Sequence, residues 1–79
     1  MHVKKGSMIS LQYHENRSEQ WYLLSGRIWI TKGILSRMMM PGESVTIDRM
    51  EKHKLEGVED SVVLEISKGY FDESDIVRL

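Results

Sequence analysis

The residues of this chain best suited to chemistry are two histidines, an acid and an amide. Gln12 and His14 are two positions apart and would share one face of a strand, and Glu19 and His53 follow them. Glu19 shares its strand face with Trp21, which is expected to lie in the core beneath these side chains. A carboxylate there is costly unless it is paired or bound to a cation. Together the four side chains could bind one divalent metal ion: Zn, Mn, Fe, Co or Ni. On spacing alone, the histidines could equally be two ordinary polar residues.

The strand that would carry Gln12 and His14 has its apolar residues on the other face. Ile9, Leu11 and Tyr13 alternate with the polar residues, so a polar face turned inward would need a metal ion to satisfy it. The apolar row would then face outward, which predicts a homodimer that buries it. The alternative is that inside and outside are more mixed along this strand than simple alternation indicates.

Short segments with period-two alternation, punctuated by glycine, must position these residues. Ser25-Gly26 predicts a hairpin between strands at 19–24 and 27–31, and Pro41-Gly42 and Gly57 predict later turns. Other strands are predicted at 9–14, 34–40, 43–47, 52–56 and 61–67, with a short strand or arm in 70–79. The pattern predicts an all-β barrel or sandwich that forms one domain over residues 1–79.

Composition narrows the function further. The formal net charge is −1 and no basic stripe occurs, so neither a nucleic-acid nor a membrane partner is expected. The absence of cysteine excludes disulfides, thiolate metal sites and cysteine nucleophiles. No apolar run approaches the roughly 20 residues of a membrane span, and nothing apolar follows Lys4 and Lys5 as in a signal peptide. A cytoplasmic protein is therefore expected.

Three segments resemble the cupin domain of type II mannose-6-phosphate isomerases, which also occurs in bifunctional mannose-1-phosphate guanylyltransferase/isomerases. The first cupin motif is matched at Ser10, Leu11, Gln12, His14, Arg17, Glu19, Trp21 and Gly26. The second is matched at Pro41, Gly42 and His53, and the closing segment at Glu65, Gly69, Asp75, Ile76 and Arg78. The resemblance implies a jelly-roll (double-stranded β-helix) barrel and supports Gln12, His14, Glu19 and His53 as ligands of one metal ion.

The resemblance also implies a reaction. It would be the aldose–ketose isomerisation of a sugar phosphate, mannose 6-phosphate to fructose 6-phosphate, through an enediolate that the metal stabilises. Arg17, Lys52 and Arg78 are the candidates for the phosphate, and Glu65 is the candidate proton carrier if its side chain turns inward. Surface charge is the alternative for Arg17 and Lys52, and a disordered terminus is the alternative for Arg78.

The chain departs from the family pattern around the ligands. Gln20 replaces a histidine, Asp48 and Met50 replace a proline and a glycine, and Gly57 replaces an asparagine. The family's D-x-Y-G-R stretch after Leu79 is also expected to be missing. These departures favour metal binding over catalysis and leave a non-catalytic sugar- or metal-binding module as an alternative. A non-haem iron oxygenase is a further alternative, which a fourth ligand at Gln12 would disfavour.

Overall fold

A computed structural model describes residues 1–69 and 75–79. Within these ranges the chain forms no helix, so none has the length and apolarity that a membrane span requires. The all-β prediction is confirmed. The described residues contain nine strands: β1 His2–Val3, β2 Met8–Tyr13, β3 Arg17–Ser25, β4 Ile28–Lys32, β5 Leu35–Met39, β6 Ser44–Ile47, β7 His53–Gly57, β8 Ser61–Gly69 and β9 Val77–Arg78.

The strands form two antiparallel sheets. One has the order β1-β8-β3-β6 and the other β5-β4-β7-β2-β9. Alternate residues of β3 are buried, as expected for a strand with one face on a core. The core is built from Val3, Trp21, Leu23, Ile28, Ile30, Met39, Ile47, Leu55 and Val63. Two antiparallel sheets packed around one core form the predicted jelly roll.

The hairpin predicted at Ser25-Gly26 is wrong. Strands β3 and β4 lie in different sheets, so this turn carries the chain from one sheet to the other. Gly26 has a φ of +86°, and a Cβ there would lie 2.3 Å from the Asp60 carbonyl oxygen. The tight glycine turn was therefore correctly placed, but the close approach of the loop at Asp60, which local sequence does not reveal, directs β4 away from β3. The hairpin forms instead between β4 and β5, around Gly33.

Simple alternation also fails in β2. Ile9 pairs with Leu55 and Gln12 pairs with His53, so three steps on β2 match two steps on β7, and a β-bulge separates them. The bulge places both Ile9 and Gln12 on the inner side, and Ile9 packs against the core. The prediction that Ile9 faces outward is therefore wrong. The proposed dimer surface shrinks to Leu11 and Tyr13, which are both half-buried.

The two ends of the described chain are held in the sheets. β1, which the sequence pattern did not predict, pairs with β8, and β9 pairs with β2. Arg78 thus lies in a strand, although half of the predicted segment 70–79, residues 70–74, is outside the described ranges. Gly57 is the last residue of β7, and the predicted turn follows it at 58–60. The residue after β1 passes so close that a Cβ at position 57 would lie 2.5 Å from the Lys4 carbonyl oxygen.

Candidate metal centre

Three buried side chains that can bind a metal meet between the sheets. His14 directly follows β2, Glu19 lies in β3, and His53 is the first residue of β7. One ligand atom from each lies within 4.8 Å of the others, and among residues 1–69 and 75–79 no other group of three or more such residues is found. The imidazole centroids of His14 and His53 are 5.2 Å apart. The jelly roll therefore brings together three of the four ligands predicted from the sequence.

Both imidazoles have a fixed orientation. Nδ1 of His14 lies 2.7 Å from the carbonyl oxygen of Asp75, and Nδ1 of His53 lies 2.9 Å from that of Glu51. A carbonyl oxygen only accepts hydrogen bonds, so each Nδ1 carries a proton and donates it. In the neutral ring, Nε2 then has a lone pair free for a metal ion. This is the arrangement in which metal-binding histidines are usually held.

The contact between His14 and Glu19 needs a cation. Nε2 of His14 lies 2.7 Å from Oε1 of Glu19, and both side chains are almost fully buried. With the ring proton on Nδ1, these two atoms are both acceptors, so a second ring proton or a metal cation must lie between or beside them. A divalent ion shared by the imidazole and the carboxylate meets this requirement.

His53 offers the second sign that the site fits a cation. Its Nε2 atom is buried and has no hydrogen-bond partner. Burial lowers the pKa of His53, an effect that the hydrogen bond to the Glu51 carbonyl opposes only in part. The neutral imidazole is the form that binds a metal. The donor set, the orphaned atom and the burial therefore all fit a divalent ion.

Gln12 completes the candidate set by position. It is 9% exposed, and its Cα is the direct partner of that of His53 across β2 and β7. Directly opposed residues of an antiparallel pair project to the same face. The amide thus lies on the side of the sheet that carries His53. The bulge between Ile9 and Gln12 is what turns it there.

The indole of Trp21 connects the ligand Glu19 to Glu65. Its Nε1 lies 3.3 Å from Oε2 of Glu19 and 3.2 Å from Oε1 of Glu65. Trp21 and Glu65 are Cα partners on β3 and β8, so the Glu65 side chain turns to the inner face. The indole also meets the ring of His53 edge-on at 5.6 Å, which confirms the prediction that Trp21 packs beneath the ligands.

The three candidate phosphate-binding residues have different surroundings. Arg17 is only 7% exposed, and its Nε lies 4.0 Å from Oε1 of Glu19, so it is not a surface charge. Lys52 is exposed directly before His53, and Arg78 is exposed opposite Gln12 on β9. All three lie close in sequence or register to a candidate ligand.

Sequence reasoning assigned no role to Asp75, which the structure places at the site. Besides the carbonyl contact to His14, its two carboxylate oxygens accept hydrogen bonds from the backbone N–H groups of Glu15 and Asn16, each at 2.8 Å. These bonds, led by the one from Glu15, lower the pKa of Asp75. The sequence offered one signal for Asp75, its match to the closing segment of the family. Its contact with His14, 61 positions away, cannot be predicted from a single sequence.

The departures from the family pattern leave the ligands in place. Gln20 alternates with Glu19 and Trp21, so it points to the opposite face of β3. Met50 has a φ of 65°, and its N–H donates to the carbonyl oxygen of His14 at 2.7 Å. The loop that leads to His53 is therefore anchored at the other ligand, although a non-glycine residue occupies its left-handed position.

Comparison with known proteins agrees with this geometry. The family described as "Mannose-6-phosphate isomerase C-terminal" matches residues 1–79. Mannose-1-phosphate guanylyltransferase RfbM of Salmonella typhimurium is 39% identical over 98% of the chain and 17% of its own length. Among solved structures, KdgF from Halomonas sp. has a TM-score of 0.86 at 19% identity, covering 92% of this chain and 67% of that one. The cupin domain of Schizosaccharomyces pombe Cnp3 has a TM-score of 0.80 at 13% identity, covering 87% and 52%.

The two solved structures show the fold alone, because their identity to the chain is low. The curated relatives are much longer proteins, and this chain spans 16–17% of the length of those from Escherichia coli O157:H7 and Salmonella typhimurium. Their names describe guanylyltransferases, and the region that they share with this chain is the domain described above.

Proposed function

This chain belongs to the family of mannose-6-phosphate isomerase C-terminal domains, and from that premise we propose that it binds one divalent metal ion and isomerises a sugar phosphate. The proposed ligands are Gln12, His14, Glu19 and His53. The proposed reaction is the interconversion of mannose 6-phosphate and fructose 6-phosphate. The isomerase description of the family supports this reaction, while the names of the curated relatives describe nucleotidyl transfer.

One observation carries the metal proposal. His14 Nε2 and Glu19 Oε1 face each other at 2.7 Å as two acceptors, and the buried His53 Nε2 beside them has no partner. Buried polar atoms are normally satisfied, and an unpaired one needs an explanation. A single cation explains both defects. When bound, the ion would supply Lewis-acid polarisation of the sugar carbonyl and neighbouring hydroxyl.

Glu65 is the proposed proton carrier. Isomerisation moves one proton between adjacent carbons, which requires a base that accepts the proton and returns it. The Glu65 carboxylate is on the inner face, exposed to solvent and oriented by the indole N–H of Trp21 at 3.2 Å. This orientation leaves it near the ligands without making it one of them.

Lys52 and Arg78 are the proposed phosphate partners, because both are exposed cations beside candidate ligands. Arg17 is also proposed to help bind the anionic substrate, but from a buried position. Its buried guanidinium lies beside Glu19, where it can balance the carboxylate and attract the anionic substrate at short range.

The test is an assay of metal-stripped protein reloaded separately with Zn, Mn or Co and supplied with mannose 6-phosphate. We expect fructose 6-phosphate to form above the metal-free control. We also expect His14→Ala and His53→Ala to lose both the metal and the activity. His2→Ala is the matched control, because His2 is the one histidine of the sequence that is not a proposed ligand, and it lies exposed in β1. Turnover no higher than the metal-free rate would refute the isomerase proposal.

The same preparation separates the alternative functions. Stoichiometric metal binding without turnover would favour a non-catalytic sugar- or metal-binding module. Oxygen consumption by the iron-loaded protein with a small organic acid or thiol would favour an oxygenase. Unchanged metal content in both His14→Ala and His53→Ala would refute the site itself.

A further inference from the structure

The last described residues, 75–79, form an extended segment along the strand that carries Gln12, and this segment is called the strap. β9 pairs with β2 through Gln12 with Arg78 and Tyr13 with Val77. The N–H of Leu79 also donates to the carbonyl oxygen of Leu11 at 2.9 Å. Residues 75–79 thus lie along the segment that leads into the first histidine ligand.

Asp75 makes three hydrogen bonds to that segment. Its backbone carbonyl accepts from Nδ1 of His14, and its carboxylate accepts from the N–H groups of Glu15 and Asn16. All three distances are between 2.7 and 2.8 Å, and Asp75 is 8% exposed. One residue therefore holds the ring of His14 and the beginning of the short connection from His14 to Glu19.

We propose that Asp75 is a positioning residue for the metal site, a role that rests on the proposed metal binding. Its carboxylate holds the bend after His14, which places the Asp75 carbonyl against Nδ1. That contact keeps the ring proton on Nδ1 and leaves Nε2 as the metal-binding atom. The C-terminal strap and the metal site then stabilise each other, since coupling between two events is reciprocal.

The two histidines differ in where the carbonyl that accepts from Nδ1 comes from. His53 takes the same support from Glu51, two positions away within its own loop. His14 takes it from a residue 61 positions away. Of the two histidines, only His14 therefore depends on residues 75–79 being in place. Loss of Asp75 should disturb His14 and leave the orientation of His53 unchanged.

The test compares Asp75→Asn with the unmodified full chain, with Co²⁺ alone as the probe. An amide can accept only through its oxygen, and its NH₂ group would face a backbone N–H donor. We expect Co²⁺ to bind about 10–100-fold more weakly, as is typical when support of a ligand is lost. Asp60→Asn is the matched control, because Oδ1 of Asp60 accepts from the N–H of Lys5 at 2.9 Å, away from the ligands. It should leave the Co²⁺ affinity unchanged.

A second readout needs neither metal nor activity. Nitrogen NMR of the metal-free protein at pH about 8, where an ordinary histidine is neutral, reports which ring nitrogen carries the proton. We expect Nδ1 of His14 to carry a proton in the unmodified chain, whether or not Nε2 is also protonated against Glu19. In Asp75→Asn we expect part of the chains to lose the proton at His14 Nδ1, with His53 unchanged in both. If Asp75→Asn does not fold, Asp75→Glu retains the charge, displaces it by one methylene and allows the same comparison.

Wild-type Co²⁺ affinity together with an unchanged His14 tautomer in the variant would overturn the proposal. Failure of the isomerase assay would not, because the tautomer and the Co²⁺ affinity are measured without substrate. A wild-type chain that binds no Co²⁺ would refute the metal site, and with it the positioning role.

Discussion

Replacing Met50 by glycine is expected to stabilise the protein. Met50 has a φ of 65°, a left-handed conformation that costs a residue with a Cβ about 1–2 kcal/mol. Glycine removes that cost but gives the unfolded chain more freedom, which offsets about 0.4–1 kcal/mol. The Met50 side chain is 57% exposed, so little packing is lost. The difference between these two ranges has its midpoint near a gain of about 0.8 kcal/mol, or about 3–6 °C in Tm for a domain of this size.

The measurement is urea unfolding in the presence of a chelator, so that metal does not contribute to stability. Met40→Gly is the matched control: Met40 is 42% exposed, lies outside the strands and has no positive φ. There only the entropic cost applies, and we expect a loss of about 0.4–1 kcal/mol. If both variants lose stability equally, the left-handed conformation of Met50 is not strained and the reasoning fails.

Three further predictions follow from the same structure. Gly57→Asn, the family residue, should cost about 1–3 kcal/mol in urea unfolding, because its Cβ would lie 2.5 Å from the Lys4 carbonyl oxygen. Glu56→Asn, at the exposed neighbouring position of β7, should change stability by no more than about 0.5 kcal/mol. Glu65→Gln should lower kcat about 10²–10⁴-fold with metal content retained, because the proposed base is lost. The control Glu56→Gln should leave kcat unchanged, and equal rates in the two variants would show that Glu65 is not the base. Light scattering at micromolar concentration should give a dimer mass, and a monomer mass would contradict the predicted homodimer.

Much of the fold could be read from local sequence. Period-two alternation predicts the strands β2 to β8, most clearly β3, β4 and β7, where buried and more exposed residues alternate. The same reasoning set Glu19 and Trp21 on one face and predicted that Trp21 packs under the ligands. It failed at Ile9, because a bulge changes the face within a strand, and at the Ser25-Gly26 turn, because a tight turn does not specify which sheet the next strand joins.

What the sequence by itself determined was the set of candidate ligands. Gln12, His14, Glu19 and His53 carry suitable donor atoms, and alternation with the family motifs selected them from all other polar residues. Only the tertiary structure decided how these atoms are presented. The Asp75 carbonyl sets the tautomer of His14, and Trp21 joins Glu19 to Glu65. These contacts connect residues up to 61 positions apart, and such pairing depends on how two sheets pack, which no local pattern encodes.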